Sequence, residues 1–313
     1  MKRDIAIAVA PGESWAALSE DGAIVELRLS RAGHSSHVGE IYLGRILGLR
    51  PELPAALVDI GFGRPGFLSA EDVVPKGGFA KLHEGEAVVV ILTKDARAEK
   101  AVGLSMRIPD RSIVSPPGSR PPLRLDAPAP APAALIASWL ETAPDRIRID
   151  DRGAYAELRH WLMAGRKELV ERLQFASGKL YEDAGIGEAV EGALSPRLGL
   201  PGGGALVIEV TALATTIDVD SGKAQSALSA NLGAAEAVAR QIRIRNLSGP
   251  ILVGFIGMKG KGGRDRVLAA LKRELARHVP DCQVLGWTRL GHVELVRKRR
   301  APSLAELAGE KAR

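Results

Sequence analysis

Cysteine is almost missing: Cys282 is the only one in 313 residues. A single thiol forms no internal disulfide and no thiolate zinc cluster, and such scarcity suits a reducing compartment. Aromatic residues make up only 4%, so any core has to be assembled from Ala, Val, Leu and Ile. Long apolar runs are lacking too. The first, Ile5 to Ala10, stops after six residues at Pro11-Gly12-Glu13. A secretion signal needs about seven to fifteen, so this run reads better as a first strand. No run nears the roughly eighteen residues of a membrane span. A cytoplasmic chain without a membrane anchor is the expectation.

What is present is ordinary in bulk and uneven in detail. With 46% apolar and 26% charged residues, wholesale disorder, collagen and a bare coiled coil are excluded. The length allows about two domains. Lys and Arg number 43 against 37 Asp and Glu, a net +6. Lys259 to Arg300 alone holds twelve basic and four acidic residues, +8, which leaves −2 for the remainder. A concentrated basic stretch suits a polyanion, most often nucleic acid. A merely solvated basic segment is the alternative.

Short strands are predicted at Ile5–Ala10, Trp15–Leu18, Ala23–Leu29, Ile41–Leu49, Ala55–Ile60, Ala87–Leu92 and Val102–Met106, with glycine-marked turns between them. Such spacing suggests a small barrel or sandwich. Pro109 to Pro132 then packs eight prolines into twenty-four residues and reads as a linker or irregular connection. Leu158, Leu162, Leu169 and Leu173 suggest a helix over Tyr155–Phe175. From Ala205 the order becomes strand, strand, helix, strand, helix, strand, strand. Its first helix is marked by Leu228, Leu232, Ala235, Ala239 and Ile242, and Gly249-Pro250 stops it.

Three acids lie in the apolar strands at 205–220: Glu209, Asp218 and Asp220. Asp218 and Asp220 are two residues apart and share a strand face. Carboxylates in such surroundings want a cation. Mg²⁺ takes one or two carboxylates and leaves room for substrate phosphate. The competing reading is a strand that simply runs into an Asp-Ser-Gly turn. Arg240, Arg243 and Arg245 end the first helix, where they suit its dipole or could reach phosphates. Gly254 to Gly263 is glycine-rich and basic, with Lys259 and Lys261. It fails as a triphosphate-binding loop, because the spacing is one residue too long and no Ser or Thr follows the lysine. Contact with nucleic-acid phosphates is the better reading. Arg297-Lys298-Arg299-Arg300 closes the basic stretch.

Several collinear stretches resemble the ribonuclease E/G family. They are Gly39–Ile46, Pro51–Gly61, Arg64–Leu68, Leu200–Gly204, Ile217–Ser221, Asn231-Leu232, Ala239–Leu247, Leu285–Arg297 and Pro302–Leu304. The resemblance implies a multi-domain α+β chain: a ribonuclease-H-like α/β catalytic core with an inserted OB-type RNA-binding β-barrel. It implies Mg²⁺-dependent endonucleolytic cleavage of single-stranded RNA, in RNA processing or decay. Asp218 matches the first metal aspartate, and Phe67 matches a barrel aromatic on which RNA stacks. Arg64 lies beside it, and Lys100 falls in the basic turn before the barrel's last strand. On this basis residues 1–34 hold the core's first strands and 35–106 the barrel. Residues 107–145 form a Pro-rich connection where the family builds its 5′-end sensor. A helical segment at 146–195, the core at 196–307 and a tail at 308–313 follow. The family's second metal aspartate falls on Gly254, its Asn beside the first on Asp220, and another barrel aromatic on Leu57. The Cys pair of its zinc link has no counterpart, so neither zinc nor a zinc-linked oligomer is expected. Two functions compete: a nuclease in which Asp218, Asp220 and Glu209 rebuild the metal site, or an RNA-binding protein that has lost catalysis.

Overall fold

The computed structural model describes residues 1–309 except 32–36, 51, 76, 97–100, 109–112, 114, 127–128, 202, 224–225, 259 and 300. It is a mixed α+β structure of two compact units. One comprises Met1–Gly33 and Pro130–Arg313, the other His34–Ala129. Among the described residues no helix is long and apolar enough to cross a membrane.

The chain opens with three antiparallel strands, β1 (Arg3–Ala10), β2 (Glu13–Glu20) and β3 (Ala23–Arg31). Asp21 and Gly22 both take positive φ at the β2–β3 turn, the backbone that a tight hairpin requires. The second unit follows as β4 (Ile41–Arg50), β5 (Ala55–Asp59), β6 (Gly66–Ser69), β7 (Ala87–Lys94) and β8 (Gly103–Ser105). Pairing runs β4–β5–β6–β8–β7 and back to β4, with only β6–β8 parallel. That ring is a closed five-stranded barrel consistent with an OB-like domain. Ile46, Val58, Leu68, Val90, Leu92 and Leu104 fill it. Closure leaves no room for side chains at two points. A Cβ on Gly44 would lie 2.5 Å from Val58, and one on Gly66 would lie 2.5 Å from Leu104.

The Pro-rich stretch is more than a connection. Its β9 (Leu123–Arg124) pairs with Tyr42 and Leu43 of β4. Arg124 bonds Glu40 at 2.7 Å and grips Asp126 through two nitrogens, while Asp126 accepts from the Ile41 N–H. Prolines on either side cost nothing here, since β9 lies at the sheet's edge.

The first sheet takes its remaining strands from residues that follow the barrel, in the same compact unit as 196–307. After α1 (Ala131–Ile136), β10 (Arg146–Ile149) pairs in parallel with β1. After α2 (Arg152–Gly165), β11 (Leu173–Phe175) pairs in parallel with β10. The first sheet is therefore β11-β10-β1-β2-β3. The predicted single helix over Tyr155–Phe175 ends at Gly165, and Leu169 and Leu173 are buried from a 3-10 turn and from β11. Leucine spacing alone could not separate these. Ala6, Ala8, Trp15, Ala17, Leu27 and Leu29 pack against α3 (Leu180–Asp183) and α4 (Ile186–Leu194).

The second sheet of this unit adds β12 (Arg197–Gly199), β13 (Ala205–Val210), β14 (Thr215–Asp220), β15 (Gly249–Gly254), β16 (Cys282–Trp287) and β17 (Val293–Arg297), in the order β12-β13-β14-β15-β17-β16. Helices α5 (Ala227–Ile244) and α6 (Lys261–His278) cover one face; α7 (Leu304–Gly309) follows β17. Ile208, Ile217, Val253 and Leu295 meet Ala235, Val238, Ile242 and Leu271 there. The element order predicted after Ala205 is the order found. Cys282 is half-buried at the start of β16, and burial pushes its thiol up to about 11.

Two of the three arginines at the end of α5 serve packing. Arg243 bonds Glu20 (3.2 Å) and Glu26 (3.2 Å), tying α5 to the β2–β3 hairpin. Arg245 is buried, with Nε on Gln241 at 2.6 Å, and burial pulls it down to about 10.

His278 closes α6, buried, and neither ring nitrogen finds a hydrogen-bond partner among the described residues. Burial lowers its pKa, Arg243, Arg277 and Arg240 add to this, and Glu20 opposes it. The native state thus binds this proton less readily than the unfolded chain. Its contribution is complete above the ordinary histidine value of about 6.5 and is lost as pH falls below it. Thermal unfolding should therefore show falling stability between pH 7.5 and pH 5, with a shallower fall in His278→Leu. Equal pH dependence in the two proteins would refute this assignment.

Candidate active site and nucleic-acid interface

Hydrogen-bond register decides which side chains share the open face of the second sheet. Asp218 lies opposite Val207, Asp220 opposite Ala205, and Glu209 opposite Thr216 in the antiparallel β13–β14 hairpin. All three acids therefore point to one face, away from the helices, and all are exposed. They do not converge: among the described residues no group of three His, Cys, Asp or Glu side chains could hold a metal ion. Asp220 accepts from the Gly222 N–H (3.0 Å) and from Arg197 (2.9 Å). Those bonds, the backbone one first, hold its carboxyl below the usual carboxylate range. Asp220 thus behaves as the turn residue that the competing reading anticipated.

Asp218 is different. It ends the parallel pairing with β15, level with Gly254. A Cβ on Gly254 would sit 3.0 Å from Asp218 Oδ1 and 3.6 Å from His292 Nδ1. The absent side chain lets the Asp218 carboxylate lie close against the β15 backbone, with the His292 ring nearby. His292 is placed by a tight turn before β17: its N–H donates to Thr288 Oγ1 (3.1 Å), and its C=O accepts from the Thr288 N–H (2.8 Å). Arg264 stands beside that turn. Its guanidinium lies 5.3 Å over the Trp287 ring and approaches Gly291.

The loop after β15 is fixed from beneath. Asn231 of α5 is fully buried; its amide donates to the Ile256 C=O and accepts from the Ile256 N–H, both at 2.9 Å. Arg240 is nine residues further along α5, about 14 Å at 1.5 Å per residue, and pairs with Glu236 at 3.0 Å. The structure does not bring it to Asp218. Lys259 lies outside the described residues, and of Lys261 only the backbone is described, as the first residue of α6. In the basic stretch Arg297 is spent on Asp281 (3.1 Å), Arg299 on Glu306 (3.0 Å) and Arg273 on Glu274 (2.8 Å). Arg264, Arg266, Lys272, Arg277, Arg289 and Lys298 remain exposed.

On the barrel, Phe67 points outward at 39% exposure, while its neighbour Leu68 is fully buried. Register sets Phe67 between Leu57 of β5 and Gly103 of β8. Arg64 is exposed in the preceding bend, and Lys94 is exposed beside Gly103. Lys100 lies outside the described residues. Sequence reading missed Lys94, His292 and Arg264, because only strand register and turn geometry bring them to these places.

Comparison with known proteins fits this arrangement. The model of the ribonuclease E/G family matches residues 119–300. Ribonuclease G of Haemophilus influenzae is 27% identical over 95% of this chain and 79% of its own length. Ribonuclease G of Escherichia coli is 24% identical over 97% of this chain and 81% of its own. Ribonuclease E of Escherichia coli is 27% identical over 98% of this chain, which spans 38% of that longer protein.

Asn231→Leu should strand both backbone groups of Ile256, at about 1–3 kcal/mol for each buried group left unpaired. Urea unfolding measures the loss, and an unchanged midpoint would mean that the loop after β15 does not depend on Asn231.

Proposed function

The chain belongs to the ribonuclease E/G family, and we propose that it binds single-stranded RNA on its barrel and cleaves it endonucleolytically at Asp218. The observation that carries the proposal is Asp218 itself. It is an exposed carboxylate, without an ion pair among the described residues, toward the carboxyl end of a strand and level with Gly254. Two features support the substrate. Phe67 offers an aromatic face on an OB-like surface, where bases stack regardless of sequence. Arg264 and the other exposed bases of the 259–300 stretch supply positive charge for phosphates.

Sequence leads to Mg²⁺ as cofactor, and the donor chemistry partly fits. Mg²⁺ can be held by one or two carboxylates together with substrate phosphates; Asp218 is available, while Asp220 is engaged by Arg197 and Gly222. A bound divalent cation would supply an activated water and charge stabilisation at phosphorus. Asp218 would hold it, Arg264 would draw the RNA backbone inward, and Asn231 keeps the floor of the site in place through Ile256. The ribonuclease-H-like reading of the fold applies best to the first sheet, where an antiparallel trio continues into two parallel strands. Asp218 would then act from a separate sheet of the same unit.

A second reading, RNA binding without cleavage, is favoured by the engagement of Asp220 and the absence of a carboxylate at Gly254. The two separate cleanly in one assay. Asp218→Asn should abolish cleavage of a labelled single-stranded RNA while RNA affinity changes less than twofold. Wild-type cleavage no faster than this variant would leave the binding protein as the function.

The barrel surface is tested independently. Phe67→Ala should weaken single-stranded RNA binding about tenfold, within the 1–3 kcal/mol that stacking on one aromatic contributes, with no change in thermal unfolding. Full affinity in the variant would remove Phe67 from the interface.

A further inference from the structure

We infer that a cavity on the helix-covered side of the second sheet binds a small apolar monocarboxylate, with Arg245 as the group that receives its charge. The site lies on the face of β13 opposite to Glu209, so it does not depend on the nuclease reading of Asp218.

The cavity has a volume of about 190 Å³. Ala193 and Leu194 from the end of α4, Ile208 and Val210 from β13, Leu247 after α5 and Ala305 of α7 give it apolar walls. Ile208 belongs to the core beneath α5 and α6. Val210 shares its strand face but is 60% exposed, and Leu194 is 39% exposed. The apolar lining thus continues from the core out to the mouth.

Arg245 is the one charged residue that lines this cavity, and it is only 6% exposed. Its Nε donates to Gln241 (2.6 Å), and its Nη2 donates to the C=O of Gly192 (3.3 Å) in the last turn of α4. That helix end offsets part of the positive charge. Among the described residues Nη1 has no hydrogen-bond partner and no carboxylate pairs with the guanidinium. Burial lowers its pKa with no acid to oppose it.

A cation withdrawn from water without a counter-charge is costly. A carboxylate matches a guanidinium through two parallel N–H···O bonds, and Nη1 with the second N–H of Nη2 can make them. Phosphate is poorly served, since no second cation lines the cavity and the Ser303 hydroxyl is spent on Glu306 (2.9 Å). The apolar walls select the rest of the ligand. An apolar cavity of roughly 150 Å³ holds one benzene ring, so this one suits an aryl or branched-alkyl carboxylate of similar bulk.

Calorimetric titration of the RNA-free full chain with benzoate, acetate and benzamide tests the inference. Benzoate carries both features; acetate lacks the apolar body, and benzamide lacks the charge. Wild type should bind one benzoate, and acetate and benzamide should each bind at least tenfold more weakly. Arg245→Met removes the cation and Val210→Trp fills the mouth, and each should lose tenfold or more in benzoate affinity. Thermal unfolding of each variant confirms that it is folded. Should Arg245→Met fail to fold, Val210→Trp, altered at an exposed position, decides the matter. Three results overturn the inference: no benzoate binding, acetate or benzamide binding as tightly as benzoate, or a folded variant with wild-type benzoate affinity.

Discussion

Arg243 holds the first unit together. Its guanidinium reaches across from α5 to Glu20 and Glu26 on the β2–β3 hairpin, and Arg3 approaches Glu20 at 3.8 Å from β1. Burial alone would push Glu26 upward, but Arg28 and Arg243 outweigh it and hold its carboxyl below the usual range. Removing one partner from such a largely buried cluster leaves a charge uncompensated, which costs several kcal/mol. The same helix carries Asn231, twelve residues earlier, beneath the loop that follows β15. A rigid rod of about 18 Å thus links the hairpin at one end to the floor of the Asp218 site at the other. Burial first, and then the excess of guanidinium over carboxylate around it, lowers the pKa of His278.

Much of this fold was legible in the sequence, for physical reasons that can be named. Alternating apolar residues gave the barrel strands because each has one face in the core and one in water. The order of elements after Ala205 was readable because α5 repeats apolar residues at helical spacing and Gly249-Pro250 ends it. The placement of Asp218 and Asp220 on one face followed from the two-residue period of a strand. Phe67 was identified from family resemblance, and its outward position follows from alternation with the buried Leu68.

What stayed hidden depends on contacts distant in sequence. β10 is a short strand paired with β1, more than a hundred residues away, and β11 pairs in turn with β10. Leu173 of β11 has no local signature that separates it from a helix. β9 hides among prolines, and its pairing rests on Arg124, Glu40 and Asp126 as much as on backbone. The role of Arg243 stayed open between helix dipole and phosphate because its acidic partners come from the first strands. His292 carried no signal at all: a Gly-His pair in a turn comes near Gly254, and so near Asp218, only through strand pairing.

The half-buried thiol of Cys282 has a practical consequence. With its pKa raised to about 11, roughly one molecule in a thousand carries thiolate at pH 8, and thiolate is the form that oxidises, crosslinks or captures soft metals. The chain should therefore tolerate storage and handling in air without dithiothreitol or other thiol additives.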